Sequence, residues 1–222
     1  FPHDGMRQGG IMPAIVGTFY LTIGTAIFSV PLGIAAAIYL SEYAPDNWAT
    51  RIIRISIINL SGIPSVVYGL FGLGLFVLFL KFGTSILSAS LTLSIMTLPV
   101  IISTAEEALR AVPQPFRTVS ISLGATRWQT FRWVIAPTLM PALLTGFALA
   151  FARALGEYGS VIFIAGNMPG ISEIVPLLII IKLEQFNYSG ATAIGTLMLA
   201  LSFVLLLVIN LLQAWARRGH GA

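Results

Sequence analysis

Residues 15–40 read IVGTFYLTIGTAIFSVPLGIAAAIYL. No charged side chain interrupts them, and a helix needs only about 20 mostly apolar residues to cross a bilayer. Comparable stretches follow at 55–80, between Arg54 and Lys81, and at 82–105, between Lys81 and Glu106. Two more lie at 133–152, between Arg132 and Arg153, and at 191–216, ahead of Arg217. The pattern predicts an all-α integral membrane protein with about five transmembrane helices. Composition agrees: the chain is 57% hydrophobic and 9% charged, where a soluble domain carries about 25% charged residues. Such a chain cannot cover itself with a wetted polar shell, so its expected solvent is the lipid bilayer.

Five crossings put the two ends on opposite sides. With the N-terminus outside and the C-terminus cytoplasmic, the inner segments hold Arg51, Arg54, Arg110, Arg117, Arg127, Arg132, Arg217 and Arg218. The outer segments hold only Arg7, Lys81 and Lys182. Basic residues gather in cytoplasmic loops, so the net charge of +4 reads as topology and not as nucleic-acid binding. There are no cysteines, and the two histidines, His3 and His220, sit near opposite ends. No metal site is expected from them. With the polar opening FPHDGMRQGG, no cleavable signal peptide is expected. No internal repeat or long linker divides the chain, so residues 1–222 are expected to form one domain.

Small and helix-breaking residues crowd the spans, among them Pro31, Gly33 and Ala37 in the first and Gly62, Pro64, Gly69, Gly72 and Gly74 in the second. They fit either ordinary tight helix packing or a jointed, pore-forming bundle whose bends are satisfied by neighbours. One further apolar segment, residues 174–181, is too short to cross. It fits a helix at the interface, or a core position against the other helices.

The longest inner connection, residues 106–137, carries the clearest local pattern. Pro115 suits the first turn of a short helix, and Gly124 suits a helix end that needs positive φ. Thr126 and Gln129 form a capping box for a second short helix, which runs through Trp128 and Phe131 toward Pro137. Aromatic side chains projecting among arginines fit a docking surface for a cytoplasmic partner, or an amphipathic helix on anionic lipid. Glu106 and Glu107 read as solvated residues opening this connection.

The stretch RTVSISLGATRWQTFRWVIAPTLMP, residues 117–141, resembles the coupling loop of binding-protein-dependent ABC importer permeases. That loop has Glu-Ala-Ala, three residues, Gly, nine residues, then Ile, any residue and Leu-Pro. Here Gly124 holds the glycine place, nine residues lead to Val134, and Ala136-Pro137 stands for Leu-Pro. Thr118, Val119 and Ser120 occupy the Glu-Ala-Ala place, so the usual acidic residue is missing; Gly124, Ala125, Thr126, Trp128 and Pro137 complete the coupling residues carried over. Residues 9–44, 59–77 and 97–117 resemble the permease of the phosphate-specific importer. Residues 145–194 are more similar to sulfate or molybdate importer permeases, with Gly156-Glu157-Tyr158-Gly159-Ser160 where phosphate permeases read Gly-Glu-Thr-Ala-Pro.

The resemblance implies a type I ABC importer transmembrane domain in a bacterial or archaeal cytoplasmic membrane. It implies a second permease subunit, two cytoplasmic ATPase subunits carrying ATP and Mg, and an extracytoplasmic substrate-binding protein. Phosphate is the expected cargo, with sulfate or molybdate as the alternative. Family members commonly have a sixth, N-terminal span, which implies a trimmed chain or a five-span variant. No glycine-rich phosphate loop is present, so the chain is expected to be a transport subunit binding no cofactor of its own.

Arg153 and Glu157 lie one helical turn apart near the outer end of the fourth span. Ionisable residues at membrane depth usually face a bundle interior or a water-filled cavity. They fit a translocation path in which Arg153 helps an anion pass and Glu157 moderates its charge, or a structural pair locking helices together. Lys182 and Glu184 read as interfacial anchors. A membrane enzyme would need a cluster of His, Asp or Glu at the surface. A secondary transporter would show paired repeats or several buried carboxylates; with the passive channel it forms the competing transport class.

Overall fold

The computed structural model describes residues 10–168 and 171–218; His3, Arg7 and His220 lie outside them. Regular structure there is entirely helical. The helices are α1 (Met12–Ile38), α2 (Trp48–Leu60), α3 (Ser65–Gly72), α4 (Ile86–Ala111), α5 (Gln114–Ser122), α6 (Arg127–Thr130), α7 (Ala136–Leu155), α8 (Val175–Glu184) and α9 (Tyr188–Arg218). Three π-helical turns, Tyr39–Tyr43, Leu73–Phe79 and Phe131–Ile135, extend α1, extend α3 and lead into α7. Asn47 starts α2 by accepting the Thr50 N–H at 3.0 Å. Ser85 starts α4 by accepting the Ser88 N–H at 3.2 Å.

Among the described residues, 12–43, 86–111 and 188–211 are long and apolar enough to cross a membrane as single helices. The second expected span is not continuous: α2 and the helix beyond it meet at 102°. The break falls where Gly62 and Pro64 stand. Proline has no N–H to donate and disfavours helix at the residue before it, and Pro64 takes an extended conformation ahead of α3. A break at membrane depth needs its freed backbone groups satisfied. The Tyr68 hydroxyl does this for one of them, donating to the Leu60 carbonyl at 2.8 Å. The fourth expected span corresponds to α7, whose 20 residues give about 30 Å of helix.

α1 and α4 run parallel and form the centre of the bundle. Ser90 Oγ donates to the Leu21 carbonyl at 3.3 Å, and Ser94 Oγ to that of Thr25 at 3.1 Å. Thr18, Thr22, Thr25 and Ser29 are buried along α1, and each hydroxyl donates to the carbonyl four residues back at 2.7–2.8 Å. Short polar side chains thus enter a lipid-protein core with their hydrogen bonds made. Interhelical bonds of this kind contribute about 0.6–2 kcal/mol each. The far side of α9 stays bare, with Leu199, Phe203 and Leu211 exposed, as a lipid-facing helix requires.

The short apolar segment adopts the core position. α8 buries Val175, Leu177 and Leu178, and the Val175 N–H donates to Thr18 Oγ1 at 2.9 Å. Lys182, read as an interfacial anchor, is buried as well, because the helix carrying it packs inside the bundle. Glu184 is exposed.

Candidate functional site

The segment after α4 is built as a capped elbow. α4 runs to Ala111, so the loop is residues 112–135 and begins later than the charge pattern at Glu106 predicts. Pro115 sits in the first turn of α5. At the far end Gly124 takes φ +86°. Its N–H donates to the Ile121 carbonyl at 2.9 Å, and the Ala125 N–H to that of Ser120 at 3.2 Å, which is the Schellman closure. A Cβ at Gly124 would meet nothing within 4 Å, so its conformation, and not a lack of room, calls for glycine. The next helix opens with the expected capping box: Thr126 N–H to Gln129 Oε1 at 2.8 Å, and Gln129 N–H to Thr126 Oγ1 at 3.2 Å. Ser120 and Thr130 share a hydroxyl–hydroxyl bond of 3.0 Å across the elbow. Pro137 then stands in the first turn of α7.

The elbow leaves its apolar side chains in the open. Leu123 is 83% exposed and Trp128 60%. Thr118 and Val119 are exposed, while Ser120 and Ala125 are half-buried. Trp128 stacks on Phe131 with ring centroids 5.7 Å apart, and the Arg132 guanidinium lies 5.6 Å from the Trp133 ring centroid.

The charged groups around the elbow are paired through space. Arg117 forms an ion pair with Glu42 of the Tyr39–Tyr43 turn. It also donates to the Leu109 carbonyl at 2.7 Å. Arg54 of α2 donates to the Leu40 carbonyl at 2.6 Å and pairs with Glu106 at 3.0 Å. Arg110 pairs with the same Glu106 oxygen at 3.0 Å. Glu106 is therefore not the solvated residue expected: its side chain is 13% exposed, because α4 continues past it and turns it toward Arg54. Glu107 remains exposed. The position of the missing acidic residue, Thr118, stays without a carboxylate, and the acid that engages this loop comes from the end of α1.

At the opposite end of α7 the structure separates the two residues expected to pair. α7 stops at Leu155, with Gly156 as its cap, so Glu157 is not one helical turn from Arg153. The Glu157 carboxylate accepts the Ser160 N–H at 3.2 Å. Among the described residues Arg153 makes no hydrogen bond or ion pair; it is exposed and within electrostatic reach of Tyr68. Its neighbour Ala154 borders a cavity of about 10 Å³ shared with Thr22, Thr25 and Ser29, residues that lie well inside α1. The turn that follows presses against α3: a Cβ on Gly69 would come within 2.9 Å of the Ser160 carbonyl oxygen.

Solved ABC importer domains share this architecture. The chain superposes on the inward-facing MetNI methionine ABC transporter with TM-score 0.73 at 19% identity, covering 94% of this chain and 95% of that one. A bacterial ABC transporter that imports the acidic polysaccharide alginate matches with TM-score 0.78 at 15% identity, covering 96% and 82%. The fold is that of a type I ABC importer transmembrane domain. In sequence, residues 29–219 match the family profile described as binding-protein-dependent transport system inner membrane component. A probable ABC transporter permease protein, YqgH of Bacillus subtilis, is 36% identical over 96% of this chain and 74% of its own length. The sulfate transport system permease protein CysT of Escherichia coli is 34% identical over 94% and 81%. The phosphate transport system permease protein PstA 1 of Mycobacterium tuberculosis is 33% identical over 94% and 71%. Across such relatives the chain spans from 54% to 81% of their length. The chain belongs to the binding-protein-dependent inner-membrane component family, the multi-pass permeases of ABC importers.

Proposed function

We propose that this chain forms the translocation path of an ATP-driven importer of a tetrahedral inorganic oxyanion, phosphate in the first reading, and that the elbow at residues 112–135 is where a separate ATPase subunit docks. The observation that carries the reading is the contrast within that loop. Both its helices are capped and Arg117 is anchored, yet Leu123 and Trp128 are left exposed. Ordered apolar groups held out from a surface mark an interaction site. The charge pattern supports an elbow in the cytoplasm and an N-terminus outside.

In this reading the chain pairs with a second permease, the same or a different one. Two ATPase subunits holding ATP and Mg engage the elbows, and an outer binding protein delivers the anion. Closure of the ATPases moves each elbow as a rigid piece and rocks the bundle between outward- and inward-facing states. Arg153 lines the path and offers the passing anion a charge. Glu157, turned to the Ser160 N–H, supplies nearby negative charge without neutralising the guanidinium. Conduction needs binding weak enough for release.

Sulfate is the second reading. It is favoured by the residues 156–160 and by relatives named for sulfate transport at identities as high as those named for phosphate. Labelled phosphate uptake, in vesicles holding the complex purified with its own ATPase, tests both. ATP-dependent uptake resistant to excess sulfate supports phosphate; uptake abolished by sulfate supports the second reading. Uptake that continues without ATP contradicts the ATP-driven mechanism.

A further inference from the structure

We infer that Arg117 is the residue that carries the elbow's motion into the bundle; the inference rests on the docking role proposed above. α5 buries none of its described side chains. Beneath it lies a cavity of about 290 Å³, bordered by Glu42, Tyr43, Ile121, Thr130 and Phe131. Apolar burial of α5 is slight, so packing alone transmits its motion weakly. Arg117 spans the gap. Its guanidinium holds Glu42 at the end of α1 and the Leu109 carbonyl at the end of α4.

Those two helix ends are packed together as one block. Leu40 and Leu109 are buried together with Ala37, Ala105 and Ile135, and Arg54 grips the same two ends from the other side through the Leu40 carbonyl and Glu106. Displacement of α5 therefore passes through Arg117 to α1 and α4, and through Arg54 to α2 and the 102° break beyond it. The Arg117 and Glu42 side chains are only 16% and 19% exposed, so water replaces the lost partner poorly when one is removed. Arg117 touches neither cargo nor nucleotide in this scheme; it is a positioning residue.

The test is the number of anions imported per ATP hydrolysed, measured in vesicles with the complex purified with its own ATPase. Arg117→Gln and Glu42→Gln are expected to assemble and hydrolyse ATP while the ratio falls by about tenfold, within the range of ordinary coupling free energies. The exchanged pair, Glu42→Arg with Arg117→Glu, is expected to regain a substantial part of the ratio. A ratio unchanged in both single variants overturns the inference, and so does an exchanged pair that assembles but recovers nothing. If Arg117→Gln fails to accumulate, Arg117→Lys replaces it: the charge stays but the two-pronged grip is lost, so a lowered ratio with normal assembly supports the inference and an unchanged one overturns it. Failure of the unaltered complex to import with ATP would count against the proposed function instead, leaving the two ideas separable.

Discussion

Two connections flank α7, and they differ in how many of their apolar side chains they bury completely. Residues 112–135 hold Leu123, Trp128 and Trp133 out in the open. Among the described residues of 156–174, Val161, Ile164, Ala165 and Ile174 have 0% exposure and pack around Leu21 and Leu93, while Ile171 stays exposed. There the Ile164 carbonyl accepts the Ser85 N–H at 2.9 Å, tying the turn to the start of α4. One connection is a plug that completes the bundle; the other, under the proposed function, is a handle left for a partner outside it. Irregular backbone is tolerated at membrane depth only where protein or a water-filled cavity surrounds it, a condition that the buried residues of the plug meet.

The same substitution should separate them most sharply. Ile164→Asp puts an unpaired carboxylate in the sealed turn, a change costing several kcal/mol, and folded protein is expected to vanish from detergent extracts in size-exclusion profiles. Leu123→Asp changes an exposed site, so stability should move by no more than about 0.5 kcal/mol while co-purification of the ATPase is lost. Normal folding of the first variant, or unchanged ATPase binding in the second, would erase the distinction.

Arg153, proposed to line the path, probes the plug end of α7. Arg153→Ala should lower uptake by about tenfold or more, as expected for one charged contact worth about 1.5–3 kcal/mol, with assembly and ATP hydrolysis intact. Full transport in both Arg153→Ala and Arg153→Lys would remove the residue from the path.

Smaller effects are expected within the handle. Gly124→Ala forces an L-residue to φ +86° at a cost of about 1–2 kcal/mol, with no clash to add. ATPase affinity in a pull-down titration should fall by several-fold; an unchanged affinity would mean that the elbow angle is not what the ATPase reads. Thr126→Ala removes half of the capping box and should cost about 1 kcal/mol. It should be seen as faster amide exchange at Gln129, with uptake little altered.

Local chemistry explains what the sequence made legible. Gly124, Thr126 and Gln129 act through bonds to residues three to five positions away, so helix-cap rules read the elbow directly. The spans were legible as apolar runs, but the second concealed its break: Gly62 and Pro64 announce a joint without stating its angle. The ion pairs were out of reach. Arg117 and Glu42 are 75 residues apart, and nothing in a linear pattern brings them together. Glu106 looked solvated for the same reason, since its partner Arg54 lies on another helix. The Arg153–Glu157 pair failed on a local detail, a helix that ends at Leu155 where the spacing argument assumed it continued.

The account stands or falls on which side of the membrane the handle faces and what covers it. The chain contains no cysteine, so Leu123→Cys introduces a single reporter at its most exposed apolar position. Labelling this variant with a membrane-impermeant maleimide in right-side-out and inverted vesicles is the direct measurement. The account predicts reaction from the cytoplasmic face alone, blocked when the ATPase subunit is bound and restored when it is stripped away. Reaction from the outer face, or labelling indifferent to the ATPase, would contradict it.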